Sequence, residues 1–343
     1  MRRTIAKLIE PRRFEIDEEE LPPLGEHEML VRIVSSGLCH TELPTYQGRS
    51  MMKRREDGSF FKETELKYPI TFLGHEPVGV VEGVGPGVTR YKCGDMVSGP
   101  ERPGFSSHII RDTRVCRLGK IPPEAPDPEL CLAEPLACCS NIVRAANPEL
   151  GDYVAVIGCG MMGLLCLSAV SHSPAFELIA IDLLDSRLER ASELGATATV
   201  NPAAVDAEAE VRRLTGGHGV DVVIEITGRM AGLTLAGRIL RGGGPVTSAG
   251  GRGRIIMASL YEKAEPMEIG YELMFKSPTL LSTHPWYSMN YMDDLRRGVG
   301  GYMKGFFPVN RLITHTYRLE EINAAFEAME RSDEGFIKGI IVP

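Results

Sequence analysis

Residues 153–163 read YVAVIGCGMMG, and the fold of the chain turns on them. An apolar run enters a G-x-G-x-x-G, and "MMGLLCLSAVSH" carries on with helical character. Gly158 permits the sharp turn, Gly160 lets the backbone approach a pyrophosphate, and Gly163 lets helix pack on strand. The helix start then offers free N–H groups to the phosphates. Asp182 closes the next predicted strand, "FELIAID", 24 residues after Gly158, where a carboxylate can accept both ribose hydroxyls. That carboxylate repels a 2′-phosphate, so NAD is expected rather than NADP. Met161 and Met162 inside the motif and Thr227 in "EITG" join the expected cofactor-binding set. Arg187 either lies along the adenosine or is a solvated helix arginine.

The same rhythm extends outward. "SRLERASELGA", "TATVN", "AEAEVRRLTGG" and "VDVVIEITG" alternate helix and strand, which predicts a parallel, doubly wound sheet. No Asp, Glu, Lys or Arg occurs from Tyr153 to Phe176, a length that could span a membrane. Its glycines, His172 and Pro174 break it instead into strand, turn and helix. Glycine-rich "RGGGPVTSAGGRGR" reads as the turn before a late strand. Upstream, "EMLVRIVSSG", "PVGVVEGVGPGV" and "GDMVSG" are short strands between turns, an irregular and mostly β region. Beyond about Leu280 the alternation stops, and the amphipathic "LEEINAAFEAMERS" precedes a last strand, "FIKGIIVP". The expected α/β organisation is a catalytic domain over 1–147, a nucleotide domain over 148–279, and a return to the catalytic domain over 280–343.

Composition narrows the function. The chain has 343 residues, 43% hydrophobic and 24% charged, with a formal net charge of −8. That is the profile of a two-domain globular protein and argues against nucleic acid as a partner. The N-terminus turns acidic before an apolar run can form, so no secretory signal is expected. Eight cysteines without a C-x-x-C pair suit a reduced, cytoplasmic setting.

Two further stretches carry the chemistry. "GLCHTE" (37–42) sets a cysteine beside a histidine, and "GHE" (74–76) sets a histidine beside a glutamate. Singly, Cys39 reads as a small buried hydrophobe and His75 as a core histidine. With "GHEPVGVVEGVGPGV", "GDMVSG", "LAEPLACC", "VIGCGMMG", "IDLLDSRLERASELGA" and "DVVIEITG" in this order, the chain resembles the zinc-dependent medium-chain dehydrogenase/reductase family, in its sorbitol and threonine dehydrogenase branch. The resemblance covers essentially the whole chain. It implies a GroES-like catalytic domain and a Rossmann domain. It also implies metal-site roles for Cys39 (thiolate), His75 (imidazole), Glu76 and Glu134. Glu76 would bind zinc directly or stand just behind it. Glu134 occupies a position where alcohol dehydrogenases of the family carry a second cysteine; Cys138 and Cys139 are softer donors nearby but do not match it. Thr41 matches the hydroxyl that takes the substrate proton, His40 a pyrophosphate contact, and Glu42 a residue orienting a ligand. Zinc in such a site supplies Lewis acidity to an alcohol oxygen, so that hydride can leave its carbon for nicotinamide.

Three departures from the family pattern qualify this. No cysteine cluster follows "GDMV", so one catalytic zinc and no structural zinc is expected. Pro44 stands where a proton-relaying histidine is common. Cys39 and His75 are separated by 35 residues, the surplus being "QGRSMMKRREDGSFFKETELKYP". This is a surface hairpin, or a lid whose Arg49, Lys53, Arg54, Arg55 and Lys62 meet an anionic or polar group of the substrate. The expected function is NAD-dependent oxidation of a secondary alcohol on a polyol, sugar or cyclitol by a homodimer or homotetramer, with Trp286 and Tyr287 either as pocket walls or as core or interface packing. A threonine-type β-hydroxy amino acid dehydrogenase is the nearest alternative. A non-catalytic NAD-binding regulator and a zinc-free quinone-type reductase fit the quoted motifs less well.

Overall fold

The strand Tyr153–Ile157 is buried along its whole apolar length, and a parallel sheet grows on both sides of it. On one side lie Glu177–Ile181 and Ala198–Val200; on the other lie Val222–Glu225, Arg254–Met257 and Thr279–Ser282. All five pairings are parallel. The strand order therefore reverses beside Tyr153–Ile157, which is where open α/β sheets bind ligands. The final strand, Thr279–Ser282, extends the parallel pattern one element past the point where the sequence rhythm fades. Helices Met161–Val170, Asp185–Glu193, Ala207–Leu214 and Met230–Ile239 make the crossovers. Met161–Val170 spans ten residues, and no helix among the described residues is long and apolar enough to cross a membrane.

The computed structural model describes residues 1–55, 57, 59–242, 253–261, 271–284, 288–332 and 335–343. Most of the glycine-rich run 241–254, and both Trp286 and Tyr287, lie outside the described residues.

The chain forms two compact units, Met1–Pro135 with Val309–Pro343, and Leu136–Pro308. The first is built around the strand Glu28–Gly37, which pairs antiparallel with Pro77–Val84, with His108–Asp112 and with the late strand Gly339–Val342. Beneath its loops sits an aromatic cluster. Phe326, on the amphipathic helix Ile322–Arg331, packs within 4.8–5.7 Å of the rings of Tyr46, Phe14 and Phe105. Tyr46 closes the short helix Leu43–Tyr46, directly after "CHTE", so this cluster fixes the loop carrying Cys39 from below.

The basic insertion is an antiparallel hairpin, Met51–Arg54 against Phe60–Glu63. Two of its cations are engaged within the hairpin itself: Lys53 with Glu63 at 3.5 Å, and Arg55 lying 4.5 Å from the centre of the Phe61 ring.

Candidate active site

Three segments distant in sequence meet at one end of the first unit's sheet. Strand Glu28–Gly37 ends just before Cys39, strand Pro77–Val84 begins just after Glu76, and strand Gly339–Val342 begins just after Lys338. Their register forces the meeting: Ser36 lies opposite Pro77 and Ile341, and Gly37 opposite Ile340. One ligand atom each from Cys39, His75 and Glu76 falls within 4.8 Å of the others. Thr41 Oγ1 donates to Cys39 Sγ at 3.2 Å. Glu134 opens the helix Ala133–Ala146, whose first N–H is held by Ser98 Oγ at 3.0 Å.

Glu42 stands behind His75. Its Oε1 lies 3.0 Å from His75 Nδ1 and accepts the Gly74 N–H at 2.8 Å. With a proton on Nδ1 shared to Glu42, the ring presents Nε2 as a lone-pair donor, the arrangement in which a carboxylate orients a metal-binding imidazole. Burial alone would raise the Glu42 carboxyl; the His75 charge and hydrogen bond, with the more remote Arg102 guanidinium, outweigh it and hold it below the usual range.

Lys338 was not singled out from the sequence. Its ammonium is buried, donates to the Leu38 carbonyl at 2.8 Å, and contacts Glu76 Oε2 at 2.5 Å. Burial disfavours its charge, but Glu76, Cys39 and Glu134 together raise its pKa. Gly37 makes room for the pair: a Cβ there would stand 1.9 Å from Glu76 Oε2.

This donor set fits zinc. A thiol, an imidazole and a carboxylate converge at a spacing a tetrahedral ion can bridge. Cys39, Glu76 and Glu134 act on the buried ammonium of Lys338, while the Glu42 carboxylate is answered by His75 and Arg102. Elsewhere, burial pushes the Cys131 and Cys159 thiols up to about 12.

The nucleotide-binding region is built mostly from backbone. Gly158 has φ +99°, a left-handed conformation that disfavours other residues. A Cβ on Gly163 would lie 1.8 Å from the Gly158 carbonyl oxygen, whereas one on Gly160 would meet nothing within 4 Å. The space over Gly160, at the start of the helix Met161–Val170, therefore suits a pyrophosphate. Met161 is buried and Met162 partly so. Asp182 Oδ2 accepts the Cys159 N–H at 2.7 Å and Oδ1 that of Leu184 at 3.0 Å. Arg187 lies 3.8 Å from Asp182. His40 and Thr227 are both exposed.

Comparisons with known proteins agree with this arrangement. Residues 25–120 match the alcohol dehydrogenase GroES-like domain and residues 162–290 the zinc-binding dehydrogenase domain. The chain belongs to the zinc-dependent medium-chain dehydrogenases. An alcohol dehydrogenase of Cupriavidus necator is 28% identical to this dehydrogenase, across 98% of each chain. The L-threonine 3-dehydrogenase of Bacillus subtilis is also 28% identical, across 96% of this chain and 94% of that one. Among solved structures, the 2R,3R-butanediol dehydrogenase of Bacillus subtilis matches with a TM-score of 0.81 and 25% identity, across 99% of both chains. The dehydrogenase is accordingly an oxidoreductase of the alcohol type, using zinc and a pyridine nucleotide.

A second group missed by sequence reasoning lies under Thr227. Glu225 ends the strand Val222–Glu225, is fully buried, and accepts hydrogen bonds from the Thr227 N–H at 3.0 Å, the Thr227 hydroxyl and the Tyr261 hydroxyl. Burial raises its carboxyl above the usual range despite these bonds. A carboxylate inside an otherwise apolar strand was the available signal.

Proposed function

We propose that this dehydrogenase oxidises a secondary alcohol on a polyol, sugar or cyclitol, with NAD as acceptor and one catalytic zinc per chain. The convergence of Cys39, His75 and Glu76 within 4.8 Å carries the reading. Zinc held there supplies Lewis acidity, lowering the pKa of an alcohol oxygen.

The chain's own residues do the rest. Glu42 fixes the face that His75 presents. Lys338 holds one oxygen of Glu76, leaving the other free to turn toward the ion, and Glu134 is the further carboxylate donor. Thr41 takes the alcohol proton on Oγ1. Gly158, Gly160 and Gly163, with the helix opened by Met161 and Met162, receive the pyrophosphate, and His40 contacts it. Asp182 accepts the adenosine ribose hydroxyls and opposes a 2′-phosphate, which favours NAD. Arg187 lies along the adenosine, and Thr227 contacts the cofactor from the strand beyond Glu225.

The polyol class draws on Glu134 in place of a cysteine and on the likeness to a butanediol dehydrogenase. The likeness to L-threonine 3-dehydrogenase favours a β-hydroxy amino acid as the second reading. NADH formation on a panel of polyols, cyclitols and hydroxy amino acids, run with metal analysis, separates the two. Expected are one zinc per chain, activity lost in chelator, and turnover at background in Cys39→Ala. Metal-free protein working at full rate rejects the proposal.

A further inference from the structure

Glu225 takes the last place of the inner strand Val222–Glu225, in register with Ile157 on one side and Met257 on the other. Gly158 follows the first of these neighbours and opens the nucleotide loop. The chain just beyond Glu225 lies directly against that loop. Ile226 N donates to the Ile157 carbonyl at 3.0 Å, and a Cβ on Gly158 would stand 2.9 Å from the Thr227 methyl. Thr227 is exposed, yet its hydroxyl is spent. It donates to Glu225 and accepts the Arg229 N–H at 3.0 Å, so the side chain turns its methyl, not its oxygen, toward Gly158. Gly232 makes room for this pair, since a Cβ there would stand 2.4 Å from Glu225 Oε1 and 2.6 Å from Thr227 Oγ1. The second carboxylate oxygen takes the Tyr261 hydroxyl, which comes from the loop after the neighbouring strand Arg254–Met257. A leucine in this place would escape the desolvation that a buried carboxylate suffers. What it could not supply is an acceptor for donors from two loops at once.

We propose that Glu225 is a positioning residue for the dinucleotide. It ties together the loops that follow two neighbouring strands, at the carboxyl edge where parallel sheets take their ligands, and it holds Thr227 against Gly158. The cofactor then meets a wall already in place, so that little ordering cost is left to be met on binding. The inference rests on the nucleotide-site reading above and assigns the residue that sets one wall of that site.

The test titrates the zinc-loaded full chain by fluorescence, with NADH and NADPH as parallel probes. Compared are Glu225→Leu, Glu225→Gln, Thr227→Val and the double variant Glu225→Leu/Thr227→Val, each with its melting temperature measured without nucleotide. Glu225→Leu should raise the dissociation constant of the nucleotide that wild type binds about tenfold, as loss of hydrogen bonds to a charged group implies. Glu225→Gln should recover most of that loss. Thr227→Val keeps the branched shape and drops the tie, so it should weaken binding in the same direction. The double variant should bind no worse than Glu225→Leu alone, because residues that act through one contact are not additive. Where Glu225→Leu fails to fold, Thr227→Val and Tyr261→Phe, each removing one donor, decide by the same titration. Lowered melting temperatures with nucleotide affinity unchanged, or additive losses in the double variant, reduce Glu225 to a brace of the sheet and overturn this assignment alone. Wild type that binds neither NADH nor NADPH overturns the nucleotide reading and this inference with it.

Discussion

The metal cage and the nucleotide loop are built on opposite plans. The loop is contiguous: six residues from Gly158 to Gly163 set its shape, and its working parts are backbone N–H groups and the space that absent side chains leave. The cage is assembled from residues far apart in sequence, and its working parts are charges. Backbone sites of the first kind fail sterically, through one misplaced carbon. Charge sites of the second kind fail electrostatically, when one partner is withdrawn and the rest remain buried.

The sharpest break in this contrast is Lys338→Met. It leaves the buried Glu76 carboxylate without its ammonium, and removing one member of a buried ion pair costs about 3–5 kcal/mol. Chemical denaturation should show the larger loss in the metal-free protein and a smaller one with zinc bound, because the ion replaces part of the missing charge. Equal losses in the two forms would mean that the ion and the ammonium do not serve the same cluster.

Gly163→Ala probes the other plan. The added methyl collides with the Gly158 carbonyl, and relieving such an overlap costs about 1–3 kcal/mol. NADH affinity should drop at least tenfold in a fluorescence titration, while zinc content measured on the same sample stays at wild-type stoichiometry. Lost zinc in this variant would show the two sites to be less independent than their construction suggests.

Glu225→Gln has the smallest expected effect. The Glu225 carboxyl is raised in the folded protein, so its contribution to stability is complete below the usual glutamate range and is lost as pH rises through the raised value. Melting temperatures followed upward from that range should decline for the wild type more steeply than for the variant, which keeps the hydrogen-bonding shape without the charge.

Legibility in the sequence followed the same division. Gly158, Gly160, Gly163 and Asp182 lie within one βαβ unit, so local pattern was enough to place the turn, the helix start and the next strand. The approach of Cys39 to His75 and Glu76 rested on family likeness, because no local rule joins residues 36 and 37 positions apart. Lys338 was invisible for a different reason. In "FIKGIIVP" it looks like a solvated strand lysine, and only the pairing of Gly339–Val342 with Ser36 and Gly37 turns it inward. Glu225 was likewise hidden by an apolar strand whose end could be read but whose hydrogen-bond partners, Thr227 and Tyr261, could not. The sixth parallel strand faded from view because Thr279–Ser282 is mostly exposed and lacks the apolar run that marks the buried ones.

The bond from Lys338 to Leu38 joins residues 300 positions apart, and that distance has a temporal meaning. A chain leaving the ribosome at about 5–20 residues per second has its thiol, its imidazole and its glutamates in place well before the lysine is made. Throughout that interval Glu76 has no ammonium beside it, and a metal ion would be the nearest substitute. Synthesis in zinc-starved cells should therefore yield nascent protein more prone to aggregate than the finished enzyme stripped of its ion.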